Sequence, residues 1–156
     1  MALTTSGLYV ANMIDVFDAT QLAIDLSLTS HKVALLSASA SANFSTDVSW
    51  SNTNEVSGTN WATGGIALSA IASGGTSAAP TNTESPTGTQ MYDAADFVVA
   101  NTTLSSFVAY RLYADALASD NLIVLVYFGG TAYSTNAGTL TIQHAATGIF
   151  TIDWTP

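Results

Sequence analysis

The chain has 156 residues and a mass of 16.1 kDa, one domain's worth of polypeptide and long enough to bury a core. Lys32 and Arg111 are its only basic residues against eleven acidic ones, a formal net charge of -9, so phosphate backbones and anionic membrane surfaces are repelled and neither is an expected partner. The absence of cysteine excludes disulfides, thiolate metal sites, thiol catalysis and thiol redox chemistry.

Charged residues make up only 8% of the chain while 48% are hydrophobic, the opposite of the balance that keeps a chain disordered. Ala, Ser and Thr supply 65 of the 156 residues. A surface clothed in Ser, Thr and Asn instead of Lys and Glu suits a protein that neighbours will cover. Residues 1–10 carry neither a basic n-region nor an apolar h-region, so no secretory signal is expected, and the chain is expected to fold in the cytoplasm. The longest apolar run, residues 122–128, has seven residues and cannot span a bilayer.

In chain order, residues 8–17 read as a helix. Tyr9, Met13 and Val16, with Val10, Ile14 and Phe17 alongside, recur at helical spacing, and Thr4, Thr5 and Ser6 precede them as candidate caps. A helix this short must dock on something to persist. Leu22, Ile24, Leu26 and Leu28 alternate with smaller or polar residues and predict a half-buried strand, and residues 32–37 (KVALLS) predict a fuller apolar one.

Residues 38–89 are rich in Ser, Thr, Asn and Gly and predict loops, with short strands near 55–57 and 66–71. Residues 73–88 hold every proline but Pro156 and are expected to be a flexible loop. The last third predicts strands at 96–100, 106–113, 122–128, 139–144 and 149–154, with turns at Gly129-Gly130 and Asn136-Ala137-Gly138. The expected fold is mainly β: an antiparallel sandwich, jelly roll or partly open barrel with one short N-terminal helix, in a single domain over 1–156.

Chemistry is sparse. Gly75-Thr76-Ser77-Ala78-Ala79-Pro80 resembles the nucleophile block of subtilisin-like proteases but is one residue short before the proline. His31 and His144 also lack the sequence context of a base for Ser77. The two histidines have no metal-ligand spacing, and Glu84, Asp93 and Asp96 match no calcium loop, so neither a metal nor a cofactor is expected. Glu55 and Glu84 are the only glutamates, both in polar loops, and the sole lysine lies in no phosphate-cradling glycine loop. Asp115 and Asp120 flank a predicted turn. No active site is expected, and the chain is read as non-enzymatic.

The most specific stretch is Asn54-Glu55-Val56-Ser57-Gly58-Thr59-Asn60-Trp61-Ala62-Thr63-Gly64-Gly65. Its glycines permit backbone conformations closed to other residues, and Ser57, Thr59 and Thr63 can bond locally to the turns between them. This block resembles one found in small structural proteins of tailed bacteriophages, where Gly-Tyr is common at the positions of Asn60 and Trp61. The resemblance extends to Lys32-Val33-Ala34-Leu35-Leu36 before it, and to residues 107–115, 138–142 and 148–152 after it.

The resemblance implies a virion component, most readily a capsid decoration (cement) protein, assembled in the cytoplasm of a host bacterium and placed on the head surface. On that reading the partners are the major capsid protein and further copies of the chain, a homotrimer being the expected oligomer. Residues 1–6 are a candidate docking arm, and Met1, Ala2, Leu3, Trp50, Trp61 and Trp154 are candidate interface residues. The alternative is a tail or head-fibre component, or a module that grips host glycans through Trp and Tyr.

Overall fold

The computed structural model describes residues 3–18 and 22–155; Met1 and Ala2 lie outside them. The elements in order are β1 (Gly7–Leu8), α1 (Val10–Phe17), β2 (Lys32–Ser37), β3 (Glu55–Val56), β4 (Ile66–Ala67), β5 (Thr81–Glu84), β6 (Thr89–Asp93), β7 (Phe97–Ala114), β8 (Asn121–Tyr127), β9 (Tyr133–Ile142) and β10 (Phe150–Asp153). All pairings between the strands are antiparallel. The chain is mainly β, with open sheets arranged in a sandwich-like fold.

The seven-stranded sheet runs β1-β8-β7-β2-β3, with β4 also on β2 and β9 also on β7; β10-β6-β5 form the second sheet. The 18-residue β7 organises the first. Its C-terminal half lies between β2 (Leu35 opposite Tyr110) and β8 (Leu112 opposite Val124). Its N-terminal half pairs with β9, from Phe97 opposite Ile142 to Phe107 opposite Tyr133. Because Phe107 also faces Ser37 of β2, β9 lies on the same side of β7 as β8. The two strands follow one another along that side, parted only at 128–132, where Gly129 and Gly130 take positive φ.

Both faces of the large sheet are covered, which is why β2 and β8 read as continuous apolar runs with little alternation. On one face Val33, Leu35, Phe107, Tyr110, Leu112 and Ile123 form a core with Tyr92 of the second sheet, Trp61, Leu68 and Ile71. On the other, Ala34, Leu36, Val108, Tyr113, Leu122 and Leu125 are covered by Leu3, Tyr9, Ala40 and Phe44.

The helix docks here through its one buried residue, Asn12, whose amide donates to Val48 O (2.7 Å) and Leu122 O (2.8 Å). Arg111 is nearly buried beneath the same layer. It donates to Ser41 O (2.5 Å) and lies over the Tyr9 ring at 5.6 Å.

Several expectations need correction. Residues 22–28 form no strand: the alternation turns Ile24 and Leu26 toward the core, but the main chain finds no ladder. Asp25 instead caps a turn, accepting from Ser27 N (2.9 Å) and Ser27 Oγ (2.6 Å). Strands expected at 96–100 and 106–113 are one. Asn101 (φ 56°) and Ser106 (φ 54°) sit where the register with β9 shifts, so they bulge the strand instead of ending it.

Ala137 (φ 48°) does the same within β9, where a turn was expected. The segment 73–88 contains β5, fully paired with β6. Helix α1 is capped by Tyr9 without a side-chain hydrogen bond, because β1 occupies the stretch between Ser6 and the helix.

Candidate functional site

The block 54–65 folds into a compact double turn fastened to the large sheet. Asn54, at φ 63°, turns the chain into β3, where Val56 faces Leu35 and Glu55 faces Leu36. Gly58 and Trp61 close a tight turn on each other through two main-chain bonds (2.8 and 3.1 Å), with Thr59 bridged to Thr103 of β7. The Asn60 amide reaches across to Ala100 O (3.2 Å), and Thr63 Oγ1 donates to Ser57 Oγ (3.2 Å).

Two glycines are demanded by close approach. A Cβ on Gly58 would stand 2.1 Å from Thr103 O, and one on Gly65, at φ +77°, would stand 2.1 Å from Val33 O. Glu55 holds the second turn, its Oε1 accepting from Gly64 N (2.8 Å), and Tyr113 Oη donates to Gly64 O (2.5 Å). Burial pushes the Glu55 carboxyl above its usual range, and its Oε2 is buried without a hydrogen-bond partner.

This arrangement fastens a loop and offers no exposed reactive group. Trp61 is fully buried in the core, with its indole N–H unpaired. It therefore meets no partner at the surface, which corrects its place among the interface candidates. Leu3 is likewise buried against the chain's own second core, as the apolar layer over β2 and β8 requires. Trp50 is half-buried and stacks on Tyr113 (5.0 Å, 4° between planes). Trp154 alone of the candidates within the described residues is largely exposed, at 56%.

Around Trp154 lies a surface that the motif did not announce. Phe17, 71% exposed, meets it edge-on at 5.9 Å, and Val10 and Ile14 expose the solvent side of the same helix. Between α1 and the second sheet a groove of about 650 Å³ is lined by Met13, Phe17, Ile24, Leu26, Phe150 and Trp154. Its signal in the sequence is a short helix apolar on two faces, only one of which can dock. A second groove, about 540 Å³, lies beside β9 and is lined by Phe107, Tyr110, Phe128, Tyr133 and His144. Phe128 and Tyr133 meet edge-on at 6.0 Å, and Tyr133 is about half exposed.

The remaining candidates are engaged locally. His144 sits edge-on to Phe97 (4.5 Å), with Nδ1 3.1 Å from Ala94 O, while its main-chain N–H donates to Asp96 Oδ1 (3.1 Å). His31 is buried, Nε2 lying 2.7 Å from Asp25 O, and desolvation pushes its pKa down. Ser77 Oγ accepts from Ala79 N (3.1 Å), a local turn bond. Asp115 pairs with Lys32 at 2.9 Å. Asp120 O accepts from Trp50 N (2.9 Å), and Glu84 Oε1 from Gly88 N (2.7 Å). Asp93 Oδ1 accepts from Ala94 N (2.8 Å).

Among the described residues no three His, Asp or Glu side chains converge as a metal site would need, and no helix is long and apolar enough to cross a membrane. No protein-family model, no curated protein and no solved structure matches this chain.

Proposed function

We propose that this chain is a structural protein of a tailed-bacteriophage virion, acting as a decoration protein that self-associates on the head surface and stabilises it. The observation that carries the reading is the exposed apolar face made by Val10, Ile14, Phe17 and Trp154 on a chain in which only 8% of the residues are charged. Large exposed apolar groups gathered in one place mark a surface that a protein neighbour covers. The block around Gly58 and Gly65, together with its resemblance to phage structural proteins, supports the same reading.

The mechanism is linkage: a chain that binds only assembled heads stabilises them by mass action. Three copies closing a ring are the proposed oligomer, and the major capsid protein is the proposed partner. The test adds purified chain to heads prepared without it and follows their melting temperature. A rise with wild type, lost with Phe17→Ser plus Trp154→Ser in a chain whose own melt is unchanged, is the expected result. No rise with wild type overturns the reading.

A second reading is favoured by the groove beside β9. Phe128 and Tyr133 offer aromatic faces near Thr139, Thr141 and Gln143, the pairing of stacking surface and hydroxyl or amide groups that neutral sugars use. It predicts saturable binding on a glycan array that Tyr133→Ala abolishes.

A further inference from the structure

Strand β9 has an open outer edge. Its ladder and its side-chain hydrogen bonds run to β7, as where Thr135 Oγ1 accepts from Leu104 N (3.1 Å) and Ala137 N donates to Thr103 Oγ1 (3.1 Å). Among the described residues no strand pairs with its other side. The direction of its free groups follows from one bond on β7. Val98 N donates to Ile71 O (2.8 Å), so the main-chain groups of Val98 point away from β9, and Val98 opposite Thr141 is a non-hydrogen-bonded pair. Alternation then aims the N–H and C=O of Leu140 and Ile142 at β7 and those of Thr139 and Thr141 outward. The bond from Thr102 Oγ1 to Gly138 O (3.1 Å) agrees, placing another even-numbered residue inward.

The molecule protects its other sheet edges and leaves this one bare. β5 ends in Glu84 and is bracketed by Pro80 and Pro86; β10 carries Asp153; β1, β3 and β4 have two residues each. Charges, prolines and brevity are the devices that keep edges from pairing. The ten residues of β9 contain no charge and no proline. Its one irregularity, Ala137, lies before the segment 138–142, which pairs with β7 in regular register at Leu140, Thr141 and Ile142.

We propose that two copies of this chain join through β9, antiparallel about a two-fold axis at Leu140, with Thr139 and Thr141 of each exchanging N–H···O=C bonds with Thr141 and Thr139 of the other. Charge and symmetry favour a second copy as the occupant. Antiparallel pairing makes the segment its own complement, so every outward donor meets an acceptor. No charges meet across the axis despite a net charge of -9 on each chain, and a basic partner would find no carboxylate in β9 to pair with. The groove with Phe128 and Tyr133 flanks the same strand. It supplies side-chain area toward the roughly 800 Å² per partner that a stable interface needs.

The experiment measures mass by light scattering across a concentration series, with amide exchange at Thr139 and Thr141 followed in the same samples. Expected are an even number of chains, two or a doubled ring of three, and slowed exchange at both amides as the assembly forms. Thr141→Pro removes an outward donor that β7 does not use, and Thr141→Lys places a charge on the edge. Each is expected to halve the mass with the wild-type far-ultraviolet spectrum retained. Should the proline variant not fold, the lysine variant and the wild-type exchange still decide. An odd number of chains with fast exchange at Thr139 and Thr141, or an unchanged mass in Thr141→Lys, overturns the pairing. Binding of Thr141→Lys to heads separates loss of this contact from loss of the virion role.

Discussion

Three glycines allow backbone conformation and close packing to be weighed separately by single Gly→Ala changes. Gly74 has φ +74° with nothing within 4 Å of an added Cβ, so its alanine suffers the left-handed backbone alone. Gly58 is not in that region, but its Cβ would lie 2.1 Å from Thr103 O, so its alanine suffers contact alone. Gly65 combines φ +77° with a Cβ 2.1 Å from Val33 O and 2.6 Å from Val33 C.

A left-handed non-glycine residue costs about 1–2 kcal/mol. An overpacked site costs about 1–3 kcal/mol, here toward the upper end because the obstacle is main chain of paired strands and cannot rotate away. The expected losses are therefore about 1 kcal/mol for Gly74→Ala, about 2–3 kcal/mol for Gly58→Ala and about 3–5 kcal/mol for Gly65→Ala. For a chain of this size each kcal/mol lowers the melting temperature by about 2–4 °C, so Gly65→Ala should melt roughly 6–20 °C below wild type. Urea unfolding followed by near-ultraviolet circular dichroism measures all three. A Gly65→Ala loss within about 1 kcal/mol of that for Gly74→Ala would refute the claim that the block is fastened by backbone approach to β2.

Two further outcomes follow from buried groups. Trp61→Ala should lose about 3–5 kcal/mol by urea unfolding, since the whole side chain is buried, while Trp61→Phe should lose less. For His31, Nε2 bonds a carbonyl and the buried Nδ1 has no partner, so protonation would place a charge in the interior that Asp25 offsets only in part. Its folded pKa lies below the unfolded 6.5, so the unfolded chain takes up the proton first; this part of the stability is present above pH 6.5 and is lost as pH falls from there toward the folded value. Stability measured in steps across that window should fall less steeply for His31→Gln than for wild type, and parallel curves would refute the assignment.

Where the sequence carried a local signal, the fold was legible. KVALLS and the run at 122–128 are apolar on both faces, and each forms a strand within a residue of the expected bounds. The alternation at 22–28 misled because a period of two reports which side chains face inward, and Ile24 and Leu26 do so, without requiring a neighbour for the main chain. The fusion of two strands into β7 was hidden because Asn101 and Ser106 carry the composition of a turn, and only pairing with β9 carries the chain straight through them. In the block 54–65 the need for glycine was legible, but the inward turn of Trp61 was not: a tryptophan amid Ser, Thr and Asn reads equally as a surface residue. The exposed face around Phe17 depends on which side of α1 docks, and that is fixed by Asn12 reaching carbonyls at Val48 and Leu122, distant in sequence.

That last contact also has a bearing on time. Asn12 and Leu122 are 110 residues apart, β1 pairs with β8, and Ser6 Oγ accepts from Tyr127 N across 121 positions. At about 5–20 residues per second of synthesis, the N-terminal segment waits roughly 5–20 s for the strand it packs on. Until then β1 and α1 lack the strand they pack on, and the non-local pairings that complete the sheet place folding in the millisecond-to-second class or slower. A ribosome stalled before β8 should therefore expose a nascent chain that proteases cut within 3–18, while release of the finished chain should close that window in one cooperative step.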